Sequence, residues 1–240
     1  ERFGYAAEEI RPYDNAMGRY DLGEESFDVV APEDWDGEEP LGLFVFVSPT
    51  PFGGFTKAEI AEVLAERRLI WAGPDNIGNG RSSWYRVHLA LDAVHNLSEL
   101  YPIDLQRIYI AGYSGGGRLA SAMTFVYPEV FTGGFFFYGT DWYEPLRVPY
   151  QPGATWPAKY PRPDKRRLET AKQERRLVFL TGSRDFNRPQ TKAAWREAVE
   201  AGFEHATYLE IPDADHYYGI HGEWLERGLA ALDAPLEDGG

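Results

Sequence analysis

Residues 107–120 read RIYIAGYSGGGRLA, and this stretch restricts the fold more than any other. Residues 107–111 are β-rich, with Ile108, Ile110 and Ala111 suited to a buried strand. Gly112-Tyr113-Ser114-Gly115-Gly116 follows, and the sequence reads as helix from Gly117. A chain that passes from strand to helix in so few residues must turn sharply. Such a turn holds its central residue, Ser114, near positive φ. A side chain two positions to either side would then strike the neighbouring strand or helix, and glycine at 112 and 116 removes both collisions. The serine hydroxyl is left exposed at the carboxyl edge of a sheet, where open α/β folds bind ligands.

The rest of the chain is consistent with that sheet. Residues 26–31 (SFDVVA) alternate as a strand does, and Leu41–Val47 (LGLFVFV) is the continuous apolar run of a strand buried on both faces. Residues 56–67 read as a helix, with Thr56 and Glu59 at capping-box spacing. A short strand is expected at 69–72. Val87, Leu91, Val94 and Leu97 have helical spacing within 84–100. After the elbow come a strand at 134–138, a strand at 177–181, a helix near 191–200, a strand at 206–211 and a closing helix at 224–232. Alternating strands and helices imply an α/β fold, a mostly parallel sheet with helices on both faces. The length of 240 residues suits a single domain. Residues 140–164 break the rhythm with six prolines and five large aromatics, which suggests a lid or binding loop. Residues 1–25 have little periodicity and are expected to wrap the surface.

Composition excludes several chemistries. Without cysteine there is no disulfide, thiolate nucleophile or thiolate metal site. No His/Asp/Glu cluster has metal-ligand spacing, so neither metal nor cofactor is expected. The net charge of −14 argues against nucleic acid as a partner. It is uneven: residues 1–40 carry 13 acids and 3 bases, whereas 159–176 carry 8 bases and 3 acids, read as a solvated helix face. No apolar run reaches the roughly 18–20 residues of a membrane span. The chain opens on Glu1, which a removed signal peptide or a trimmed chain would each explain. The expectation is an extracellular or periplasmic protein, with the cytoplasm left open, as is the oligomeric state.

A serine hydroxyl needs a base within hydrogen-bond reach, and that base needs an orienting group. Asp185 lies in the loop after the 177–181 strand, and His216 in the loop after the 206–211 strand. All three residues sit at carboxyl ends of strands and can meet at one edge. Asp141, after the strand that follows the elbow, is a rival acid, and His221 is a rival base. A tetrahedral intermediate also needs preplaced N–H donors. The Gly115 N–H is one. Candidate substrate contacts are Tyr113, Phe52, Trp142 from the 140–164 loop, and Asn79 from the 76–80 loop.

From about Ser26 onward the chain resembles the α/β-hydrolase family, whose elements it carries in order. The region 69–127 looks like esterases of the feruloyl-esterase and polyhydroxyalkanoate-depolymerase type. The resemblance implies Ser114 as nucleophile, His216 as general base and then acid, and Asp185 as the carboxylate that holds the imidazole. It also implies a second oxyanion donor in the loop 48–54, where Pro49 and Pro51 have no N–H; that leaves Thr50 or Phe52, with Thr50 expected. It implies a serine carboxylic ester hydrolase acting on small or polymeric esters, with aromatic, short-chain acyl or polyester substrates. A serine peptidase or amidase, and a hydrolase-fold binding protein without catalysis, are the alternatives.

Overall fold

The apolar run Leu41–Val47 forms strand β2, buried along its whole length in the computed structural model, which describes residues 21–55 and 57–236. Leu43, Val45 and Val47 face one core, and Phe44 and Phe46 face the other. This is the period of two that a pleated strand imposes. Such a strand must lie inside a sheet with layers on both sides.

The partners are β1 (Phe27–Val30), β3 (Leu69–Pro74), β4 (Ile103–Tyr113), β5 (Gly133–Phe137), β8 (Arg176–Gly182) and β9 (Ala206–Ile211). Their spatial order is β1-β3-β2-β4-β5-β8-β9. Only β1 is antiparallel, running along the outer side of β3; the other pairings are parallel. The carboxyl ends of β4, β8 and β9 therefore open on the same edge. The expected strands all appear. β4 is longer than the apolar stretch suggests, because its polar start, from Ile103, pairs with Leu41 before a register shift.

Helices cover both faces. α1 (Ala58–Glu66) and α6 (Gly222–Leu232) supply Ile60, Leu64, Leu225 and Leu229 to one core. α2 (Ser83–Leu100), α3 (Gly115–Val126), α4 (Lys165–Glu174) and α5 (Arg188–Glu200) cover the other. Lys57 takes the N-cap position of α1 with no side-chain cap, and Thr56, the expected cap, lies outside the described residues. So do residues 1–20 of the segment expected to wrap the surface. The basic stretch includes α4, which buries only Leu168 and Ala171; Lys165 and Arg166 are exposed, whereas Arg167 folds back to pair with Glu129 at 2.9 Å. No helix among the described residues is long and apolar enough to cross a membrane.

The 140–164 segment contains a small hairpin of β6 (Leu146–Arg147) and β7 (Thr155–Trp156). Its aromatics correct one expectation. Trp142, expected against substrate, is 1% exposed and packs on Phe125, Tyr143 and Phe203. Tyr143 and Tyr160 are buried too. A large ring beside a proline-rich loop gains more by entering the core than by lining a groove, so these rings anchor the loop. Trp142→Ala should therefore cost about 3–5 kcal/mol of stability. Urea unfolding would measure it, and a loss below about 1 kcal/mol would contradict the anchoring role.

Candidate active site

β4 ends at Tyr113 and α3 begins at Gly115, so Ser114 occupies the turn alone, with φ 54° and ψ −114°. The two flanking glycines make the turn possible. A Cβ on Gly116 would lie 1.8 Å from the Val47 carbonyl oxygen, and one on Gly112 would lie 2.4 Å from the Gly116 carbonyl oxygen. The strained backbone, a cost of about 1–3 kcal/mol, is held on both sides. Ser114 N–H donates to the Phe137 carbonyl at 2.8 Å, and the Ser114 carbonyl accepts from Arg118 N–H at 3.1 Å.

Asp185 follows β8, and His216 lies in the loop after β9. The structure brings both to Ser114. His216 Nε2 is 2.9 Å from Ser114 Oγ, and His216 Nδ1 is 2.8 Å from Asp185 Oδ1. A carboxylate at Nδ1 favours the tautomer with its proton there, leaving the Nε2 lone pair for the serine hydroxyl. Asp185 is itself fixed. Its Oδ2 accepts from Thr181 Oγ1 at 2.7 Å, and its Oδ1 also accepts from the Asn187 N–H at 3.0 Å. A hydroxyl set this way can give its proton to the imidazole as it attacks an electrophile.

The two rivals are engaged elsewhere. Arg118 donates to Asp141 Oδ1 at 2.7 Å; burial pushes that carboxyl up, and the guanidinium opposes the shift. His221 Nε2 meets Lys57 Nζ at 3.0 Å, and its Nδ1 lies 3.3 Å from Glu59 Oε1. Among the described residues, no group of three or more His, Cys, Asp or Glu side chains could hold a metal ion.

Several residues of this site carry no local signal in the sequence. Arg118, one turn beyond Ser114, also donates to Asn187 Oδ1 at 2.9 Å, and Asn187 Nδ2 donates to the Tyr138 carbonyl at 2.8 Å. That network ties the elbow helix to the Asp185 loop. Phe186 is 66% exposed with its ring 4.1 Å from the His216 imidazole, centroid to centroid. Tyr113 donates its hydroxyl to the His216 carbonyl, and burial pushes its phenol up to about 12, so this donor persists across neutral pH. Tyr113 is a candidate from the sequence because it precedes Ser114, and Phe186 offers a cue only through its position next to Asp185.

Beside Tyr113 opens an apolar cavity of about 280 Å³, whose walls include Phe46, Phe52, Phe55, Trp71 and Ile220. Phe52 and Tyr113, the residue before Ser114, both line this pocket. Asn79 is exposed and sits against Gly115. Thr50 requires a correction. Its N–H donates to Ser48 Oγ at 3.1 Å, so the group expected to meet an oxyanion is already taken. Serine side chains capture the N–H two residues on in turns of this kind. The Gly115 N–H is the first of α3 and has no acceptor within the helix.

No protein-family model and no curated protein matches the chain. Solved structures do. The feruloyl esterase module of Clostridium thermocellum, in complex with sinapinate, is 14% identical with a TM-score of 0.64, over 90% of this chain and 86% of that one. The S-formylglutathione hydrolase of Staphylococcus aureus is 15% identical with a TM-score of 0.59, over 87% and 93%. A protein assigned as a dipeptidyl aminopeptidase IV, from Bacteroides ovatus, is 16% identical with a TM-score of 0.61; the match covers 87% of this chain but only 33% of that longer one. At such identities the likeness speaks for architecture, and together with the strand order it establishes that this chain has the α/β-hydrolase fold.

Proposed function

We propose that this protein is a serine hydrolase of carboxylic esters that works through an acyl-enzyme. The observation that carries the reading is the continuous hydrogen-bonded chain from Ser114 Oγ through the His216 ring to Asp185. Ser114 Oγ attacks the ester carbonyl carbon while His216 Nε2 takes its proton. The C–O bond to the alcohol then breaks, and His216 returns the proton to the leaving oxygen. Water enters, loses a proton to His216, attacks the acyl carbon and releases the acid with Ser114 restored. The apolar cavity at Tyr113 suits a short or aromatic acyl group. The feruloyl esterase module that binds sinapinate shares the fold, which supports that substrate class.

The test is intact mass after exposure to a fluorophosphonate, beside turnover of p-nitrophenyl acetate and butyrate. One adduct per chain together with turnover is expected. A protein that binds esters but shows neither would be a non-catalytic relative of the fold. The likeness to the aminopeptidase favours a second reading, an amidase or peptidase on the same residues. Matched ester and amide substrates separate the two, with the ester expected to react faster.

The acid assignment has its own expected result. Asp185→Asn should lower kcat by about 10⁴-fold, because an amide no longer enforces the His216 tautomer. Asp141→Asn should keep turnover within a few-fold and lose about 1–3 kcal/mol of stability as Arg118 loses its charged partner. Steady-state kinetics on both variants decides, and the reverse pattern would make Asp141 the acid.

A further inference from the structure

The elbow contributes one donor for a developing oxyanion, the Gly115 N–H. The loop after β2 was expected to contribute the second, yet its candidates are engaged. Thr50 N–H donates to Ser48 Oγ at 3.1 Å, and Phe52 N–H donates to Thr50 Oγ1 at 3.4 Å. A different group stands beside Gly115. A Cβ on Gly115 would come 2.2 Å from Asn79 Oδ1 and 2.7 Å from Asn79 Nδ2, so the side-chain amide of Asn79 covers this glycine. Asn79 is exposed, and among the described residues its amide makes no hydrogen bond. A half-turn of the amide exchanges its oxygen and nitrogen without breaking a protein contact.

The backbone that carries this amide is held firmly. Asn79 N–H donates to the Pro49 carbonyl at 2.9 Å, which joins the 76–80 loop to the 48–52 loop. Arg86, only 6% exposed, reaches both loops from below. Its Nε donates to the Ile77 carbonyl at 2.6 Å and its Nη2 to the Ser48 carbonyl at 3.3 Å. Among the described residues no carboxylate pairs with it. Burial draws its pKa down to about 10, and it stays charged at neutral pH. A buried unpaired cation is costly, and clamping these two loops is what its hydrogen bonds accomplish.

We infer that Asn79 Nδ2 is the second oxyanion donor, acting beside the Gly115 N–H. The inference rests on the reading of Ser114 as nucleophile. As Ser114 Oγ bonds to the carbonyl carbon, the π pair moves onto the carbonyl oxygen. That oxygen must come within about 3 Å of the Gly115 N–H, which brings it next to the amide covering Gly115. A neutral amide donates to this anion without adding charge to the resting site.

The experiment compares Asn79→Ala and Asn79→Asp with wild type on p-nitrophenyl butyrate, with the rate of fluorophosphonate capture as a second readout. In both variants kcat should fall by at least about tenfold with KM within about threefold, and the capture rate should fall in step. Asp keeps the size of Asn but sets a negative charge against the oxyanion, so it should be no faster than Ala. A merely structural role would instead be rescued by the isosteric Asp. A kcat less than about tenfold below wild type in either variant, or rescue by Asp, overturns the inference. If wild type neither labels nor turns over, the serine-hydrolase reading itself fails. If wild type is active, Ser114→Ala is inactive and Asn79→Asp is unimpaired, only the Asn79 assignment fails.

Discussion

Ser114→Ala is expected to lower ester turnover by about 10⁶-fold and to abolish the fluorophosphonate adduct while the protein stays folded. The size of the loss follows from the proposed role. Without Oγ there is no atom to form the acyl-enzyme, and the remaining donors only bind and polarise substrate. The fold should survive because, among the described residues, Oγ makes a single hydrogen bond, to His216 Nε2, whereas the turn is held through the Ser114 backbone. At φ 54° alanine is strained about as much as serine. Melting within a few degrees of wild type is therefore expected. A variant that kept as much as about a hundredth of wild-type kcat would rule Ser114 out as nucleophile.

Gly116→Ala should show the largest loss of stability. Its Cβ would sit 1.8 Å from the Val47 carbonyl oxygen and 2.7 Å from the carbonyl carbon, and both are backbone atoms. Neither side can yield easily. Val47 is fully buried, and its strand pairs there with Gly112, the other glycine of the elbow. Either α3 shifts and carries Ser114 away from His216, or β2 moves within its sheet. The cost should exceed about 4 kcal/mol, a large share of the roughly 5–15 kcal/mol that holds a domain together. Gly80→Ala is the matched control, since a Cβ there meets nothing within 4 Å; its change should stay within about 1 kcal/mol. Urea midpoints for the two variants make the comparison. A Gly116→Ala protein with wild-type midpoint and turnover would contradict the close approach of α3 to β2.

The sheet could be read from the sequence because its strands carry their own signal. Leu41–Val47 is apolar at every position but one, and only a strand covered on both faces accommodates that. The elbow was legible for a similar reason, since glycine at 112 and 116 and a serine between strand and helix describe one tight turn. The polar start of β4 was not legible, because pairing with β2 rather than local preference makes it a strand. The burial of Trp142 was not legible, because a tryptophan in a proline-rich loop looks the same whether it faces a groove or the core. The engagement of the Thr50 N–H was not legible either, because whether it is free depends on where the Ser48 hydroxyl turns.

Local sequence set the order of the main strands and helices, and hence which loops emerge at the carboxyl edge of the sheet. These properties come from periodicity and from turn chemistry, which act over a few residues. Tertiary structure alone decided which groups at that edge meet. Asp185 rather than Asp141 faces His216 because β8 lies beside β9, and because Arg118 holds Asp141 from the elbow helix. Arg86 and Asn79 acquire their places in the same way, through loops that are distant in sequence and joined by backbone carbonyls. A hydrogen bond depends on distances of a few tenths of an ångström, and only the packed chain sets them.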